Sequence, residues 1–147
     1  MSTEPFALTD EDLKANNVSK ALAADAVEKA GSGHPGTPIS LAGVAYLLYQ
    51  YEMQCDPPDD RWLGRDRFVL SAGHASMLQY AQLVLAGYGL EIEDLAALRT
   101  AGSLTPGHPE YGHTKGVEVT TGPLGAGFSN AVELNRSEER RVGKECR

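Results

Sequence analysis

Apolar residues recur at helical spacing at Val18, Leu22, Ala26, Val27 and Ala30, behind Thr9 and an acidic first turn of Asp10, Glu11 and Asp12. This pattern predicts an amphipathic, core-facing helix capped by Thr9, its acidic start favoured by the helix dipole. The helix should stop at 31–36, where three glycines and a proline cannot sustain it. Ser40 to Tyr51 is apolar nearly all round, which marks a buried helix with Tyr46, Tyr49 and Tyr51 as core or subunit-contact residues. A proline-broken polar loop from Cys55 to Asp66 follows. Arg67 to Ser71 then reads as a short buried strand, and Ala72 to Ser76 turn it into a helix ending near Gly87. Strand, turn and helix make half of a βαβ unit. Ligands of open α/β sheets gather at such carboxyl ends of strands, so His74 stands where chemistry is usually placed. A short helix is expected from Ile92 to about Thr100. From Ala101 to Gly116 the chain has no periodicity, and an unstructured loop of that length inside a domain is uncommon and usually functional.

The stretch from Val119 to Ala131 joins a β-branched run, a turn containing Gly122, Pro123, Gly125 and Gly127, and a helix start near Leu124. Such a turn lets an anion approach backbone N–H groups that a side chain would screen. A plain structural turn is the competing reading. The spacing matches neither the P-loop nor the G-x-G-x-x-G pattern, and G-x-S-x-G is absent, so P-loop phosphoryl transfer and serine nucleophile chemistry have little support. All four histidines, His34, His74, His108 and His113, lie in turns marked by glycine or proline. Three of them in similar Gly-His settings point to a shared pocket, where imidazoles shuttle protons or hydrogen-bond a polyhydroxylated substrate. A zinc site is the weaker alternative, because separations of 40 and 34 residues lack the short ligand spacing of structural sites.

At 147 residues the chain is long enough to bury a real core. A formal charge of −7 disfavours nucleic acid and anionic membrane surfaces, and no basic patch precedes the extreme C-terminus. The acidic start is unlike a secretory signal and no apolar run approaches the ~18 residues of a membrane span, so the cytoplasm is the default location. Cys55 and Cys146 are far apart and lack C-x-x-C spacing, which indicates neither a disulfide framework nor a zinc-thiolate site. Residues 135–147 change character abruptly: five basic and three acidic side chains give +2, against −9 for the preceding 134 residues. This string interrupts the incipient apolar helix after Ala131 and Val132, and reads as a tail foreign to the rest.

Four ordered blocks, Lys29–Gly36, Asp66–His74, Ser103–Glu110 and Gly116–Gly125, closely resemble the N-terminal region of transketolases. The resemblance covers about Val18 to Val132. It implies an α/β fold: an incomplete thiamine-diphosphate-binding domain, helix-rich with short parallel strands. Residues 1–17 would form an N-terminal segment, 18–134 the partial diphosphate-binding domain and 135–147 the tail. In that family thiamine diphosphate carries a two-carbon ketol unit from a ketose phosphate to an aldose phosphate. By resemblance, Gly122 and Leu124 contact the cofactor, His74 lies near its diphosphate and the substrate, and His34 and His108 line the sugar channel as proton-handling residues. His113 takes no role from the resemblance and reads as a loop histidine. Ala126 departs from the family's G-P-L-G-Q-G, where glutamine is usual. The family's G-D-G motif and later asparagine, which hold Mg²⁺ or another divalent cation, lie beyond the last residue, so this chain should contribute no metal ligand. The expectation is a transketolase fragment, homodimeric in its full-length form and inactive as an isolated chain. The N-terminal subunit of a split transketolase, a related dihydroxyacetone synthase, and a non-catalytic anion- or metal-binding module are the alternatives.

Overall fold

The computed structural model describes residues 7–145, with side chains as far as Arg136; the opening M-S-T-E-P-F, Cys146 and the tail side chains lie outside the described part. Helix α1 (Asp10–Ala30) begins at Thr9 in a reciprocal capping box with Asp12 and ends at Gly31, whose φ of 64° is the left-handed conformation glycine adopts without strain. Helix α2 (Gly36–Leu47), with Pro35 at its N-cap, starts four residues earlier than the apolar run indicates. It ends in a π turn (Leu48–Glu52), closed by Met53 N–H donating to the Leu48 carbonyl at 2.8 Å. A 3₁₀ turn (Gly73–Ala75) leads into α3 (Ser76–Leu85), followed by α4 (Ile92–Ala96) and α5 (Ala126–Glu145).

Two expectations are corrected. Among the described residues no strand is formed: the stretch from Arg67 to Ser71 runs without a ladder. Its apolar side chains are nonetheless used, with Leu70 buried against Ala45 and Leu78 and Phe68 packed beside them. A β-rich run becomes a strand only when a second backbone lies alongside, and here helices supply the neighbours. The second correction concerns the charged string after Val132, which does not interrupt the helix. α5 runs through it to Glu145, since Glu, Arg and Leu are good helix formers whatever their charge pattern.

Helix α3 is buried almost all round and forms the centre of the core, with Met77, Tyr80 and Leu83 fully enclosed. Small residues let α1 and α2 close on it: Ser19, Ala23 and Ala26 from α1, Ala42 and Ala45 from α2. This choice rotates α1 away from the face marked by Val18, which is 41% exposed; Leu22 and Val27 pack only at the margin. Large side chains there would hold the helices apart.

Asp12 ties α1 to α2. Its buried carboxylate accepts from Thr9 N–H (2.8 Å), Thr9 Oγ1 (2.6 Å), Tyr46 Oη (2.8 Å) and Tyr51 Oη (2.7 Å). The Thr9 hydroxyl, then Tyr51, then the Thr9 amide and Tyr46 hold the carboxyl well below the usual carboxylate range, against the opposing effect of burial. Burial and the bond to Asp12 push Tyr46 up to about 12. Tyr46 and Tyr49 are core residues as expected, whereas Tyr51 is half exposed and spends its hydroxyl on Asp12.

Candidate functional site

The glycine-rich and histidine-bearing blocks meet around Thr121, a buried residue that the sequence pattern did not single out. Gly73, just before His74, packs so closely on it that a Cβ would lie 2.7 Å from Thr121 Oγ1 and 3.0 Å from its carbonyl carbon and oxygen. Only hydrogen fits there. Thr121 N–H donates to the Pro109 carbonyl at 3.1 Å, which brings in the segment that carries His108. The His34 ring meets that of His74 edge to face, with centroids 5.0 Å apart and planes at 76°. Four separate stretches of chain are thereby stitched into one neighbourhood.

The start of α5 is anchored on Ser71. Gly127 lies against the backbone of Ser71, where a Cβ would come within 2.5 Å of Ser71 Cα, and Phe128 N–H donates to Ser71 Oγ at 3.1 Å. Between Thr121 and this anchor the chain bows outward. Gly122 faces open space, Leu124 is 77% exposed and Gly125 holds a φ of 88°. Among the described residues, the N–H groups of Gly122 and Leu124 have no hydrogen-bond partner, and the buried Thr121 Oγ1 has none either. Unspent donors at the start of a long helix, with no side chain in front of Gly122, fit an anion such as a diphosphate.

This geometry invites comparison with known proteins. The family described as transketolase, thiamine diphosphate binding domain, matches residues 11–146. The chain belongs to that family. It is 60% identical over 126 residues to a transketolase of Mycobacterium leprae, covering 86% of this chain and 18% of that protein. To a chloroplastic transketolase of Zea mays it is 56% identical over 127 residues, covering 86% and 19%. Among solved structures, a transketolase from Leishmania mexicana superposes with a TM-score of 0.82 at 49% identity, over 87% of this chain and 19% of that one. A Pichia stipitis transketolase in complex with sedoheptulose-7-phosphate gives 0.80 at 53% identity, over 82% and 18%. The chain thus spans about a fifth of the length of these relatives.

Within the transketolase framework, the predicted site residues divide. The His34 and His74 rings meet, and Gly73 beside His74 packs on Thr121, the residue before Gly122. His108 lies in a cleft of about 460 Å³, lined by Arg99, Ser103, Glu110 and His113 among others, and is linked to Thr121 through its neighbour Pro109. His113 is more than a loop residue: its Nε2 lies 2.6 Å from the Ser103 carbonyl and holds one wall of this cleft. Among the described residues no group of three His, Cys, Asp or Glu side chains is arranged to hold a metal ion. No described helix is long and apolar enough to cross a membrane.

Proposed function

We propose that this chain is part of the cofactor-binding domain of a transketolase, whose complete form moves a two-carbon ketol unit from a ketose phosphate to an aldose phosphate. The observation that carries the proposal is the open face at Gly122, with unpartnered N–H groups on Gly122 and Leu124 at the start of α5. Thiamine diphosphate, when bound, supplies the stabilised carbanion that this chemistry needs. The chain's own part is to bind and orient. When the cofactor is bound, the Gly122 and Leu124 N–H groups would hold diphosphate oxygens, and His74, next to the packed Gly73 and against the His34 ring, would lie near the diphosphate and the sugar. His34 and His108 bond sugar hydroxyls and move protons to and from them, work suited to imidazoles near neutral pH.

In this reading Mg²⁺ or another divalent cation is held by residues other than those described, and the complete enzyme is a cytoplasmic homodimer of the pentose phosphate pathway. Residues 135–147 are read as an added tail, and the isolated chain as inactive. Titration of thiamine diphosphate with Mg²⁺ into the isotope-labelled chain, followed by NMR, tests the site. Weak binding, with a Kd of about 1 mM or above, should perturb Thr121 to Gly125, His34 and His74 first. Perturbations confined to other surfaces would remove the loop as the cradle. Tight, metal-dependent binding, or transferase turnover, would overturn the view that the chain alone is insufficient.

A further inference from the structure

The turn that carries His108 is tied to its neighbours on either side of that residue. The Leu104 carbonyl accepts from Thr114 Oγ1 (2.6 Å), the Thr105 hydroxyl donates to the Asp94 carbonyl (2.6 Å), the Pro106 carbonyl accepts from Tyr80 Oη (2.9 Å), and the Pro109 carbonyl accepts from Thr121 N–H (3.1 Å). Gly107 and His108 lie between the last two ties. What meets Gly107 is Arg99, whose side chain lies along it so closely that a Cβ would stand 3.0 Å from Nε, 3.3 Å from Cγ and 3.4 Å from Cζ.

Arg99 is itself unusual. Its φ of 63° is the one positive value at a non-glycine residue among those described, a conformation that L side chains avoid. That backbone directs Arg99 N–H to the Thr105 carbonyl at 3.0 Å and leaves the side chain in the cleft shared with His108. Glycine would satisfy this backbone without strain. Arginine instead occupies this left-handed position, with its stem and guanidinium laid on the glycine that precedes His108.

We infer that Arg99 is a positioning residue for His108: its guanidinium braces Gly107 and fixes where the His108 imidazole stands in the cleft. The inference rests on the reading of His108 as a sugar-channel residue only for its consequence in catalysis; the brace itself stands on geometry. Arg99→Gly retains the left-handed backbone and the bond to Thr105 while deleting the brace. Arg99→Lys keeps the stem and charge without the planar fork.

The intact chain, labelled with ¹⁵N and ¹³C, is the sample, and the His108 ring resonances are the readout. Arg99→Gly should shift or broaden them well beyond any change at His34 and His74, while the Thr105 amide stays protected from exchange, and Arg99→Lys should restore part of the original pattern. Gly107→Ala, which leaves Arg99 in place but intrudes on it, should move the same His108 signals. The inference is overturned if both Arg99→Gly and Gly107→Ala leave the His108 ring unchanged, or if Arg99→Gly disturbs all the histidines alike and Arg99→Lys rescues none of them. Thiamine diphosphate perturbations at Gly122 in the unmodified chain report separately on the functional reading, so the failure of one is distinguishable from failure of the other.

Discussion

The wall of the site, from Ser103 to Thr121, and its lip, from Gly122 to Gly125, are equally poor in regular structure, yet they are tied down differently. In the wall, side-chain and backbone donors take up one carbonyl after another, at Ser103, Leu104, Thr105, Pro106 and Pro109. In the lip, the donors of Gly122 and Leu124 are left unpaired among the described residues and the side chain of Leu124 stands in solvent. Tied carbonyls hold the wall in place, whereas unpaired donors beside an open face leave the lip free to take a ligand. The contrast therefore marks where binding energy is available.

The strongest challenge to it is Gly127→Ala, which places a methyl 2.5 Å from the Ser71 backbone, where nothing can yield cheaply. Urea unfolding should show a loss of about 3 kcal/mol, the upper end for overpacking, and the lip should lose its anchor. An unchanged midpoint would mean that α5 docks differently. Acid provides a test from outside the site. Because the Asp12 carboxyl is held below its ordinary value near 3.8, its stabilising effect is complete above that pH and is lost as pH falls from there through the depressed folded value. Thermal melts should therefore decline below about pH 4 in the unmodified chain, and Asp12→Asn should be less stable at neutral pH and flatter in that acid range. Hydrogen exchange should show the wall less affected than α1 and α2.

Thr114→Val removes one tie of the wall, its bond to the Leu104 carbonyl, and should cost about 1 kcal/mol in the same unfolding assay. A null result would make that tie dispensable. The smallest effect on folding is expected of Gly122→Ala. Its methyl enters open space, so stability should stay within about 0.5 kcal/mol, but the perturbations caused by thiamine diphosphate should weaken. Equal binding by this variant would break the distinction between wall and lip.

Much of this was legible from sequence wherever the signal is local. Thr9 and Gly31 bound α1 because caps depend on a few neighbouring residues, and the long aperiodic run after Ala101 is indeed free of helix and strand. The four motif blocks led to the family, and to His34 and His74, which meet in space. The features that escaped depend on partners distant in the chain. Val18 continues an apolar periodicity but loses its place to Ser19 and Ala23, because helix approach selects for size as well as hydrophobicity. The run at Arg67 to Ser71 has strand composition and no adjacent backbone to pair with. Thr121 looks like any threonine until Gly73 and Pro109 are brought to it. Arg99 carries no sequence signal for a left-handed backbone, since that conformation is normally written as glycine.

The π turn at the end of α2 makes chain length itself a structural variable. It accommodates one more residue than an α-helical turn would, so Leu48 to Glu52 behaves as a stored single-residue insertion. Deleting Gln50 would allow an ordinary helix to close. It would also swing the downstream chain by about 100° around the helix axis and carry the Tyr51 hydroxyl away from Asp12, to which it now donates. At this point the count of residues, as much as their identity, is part of what joins α2 to α1.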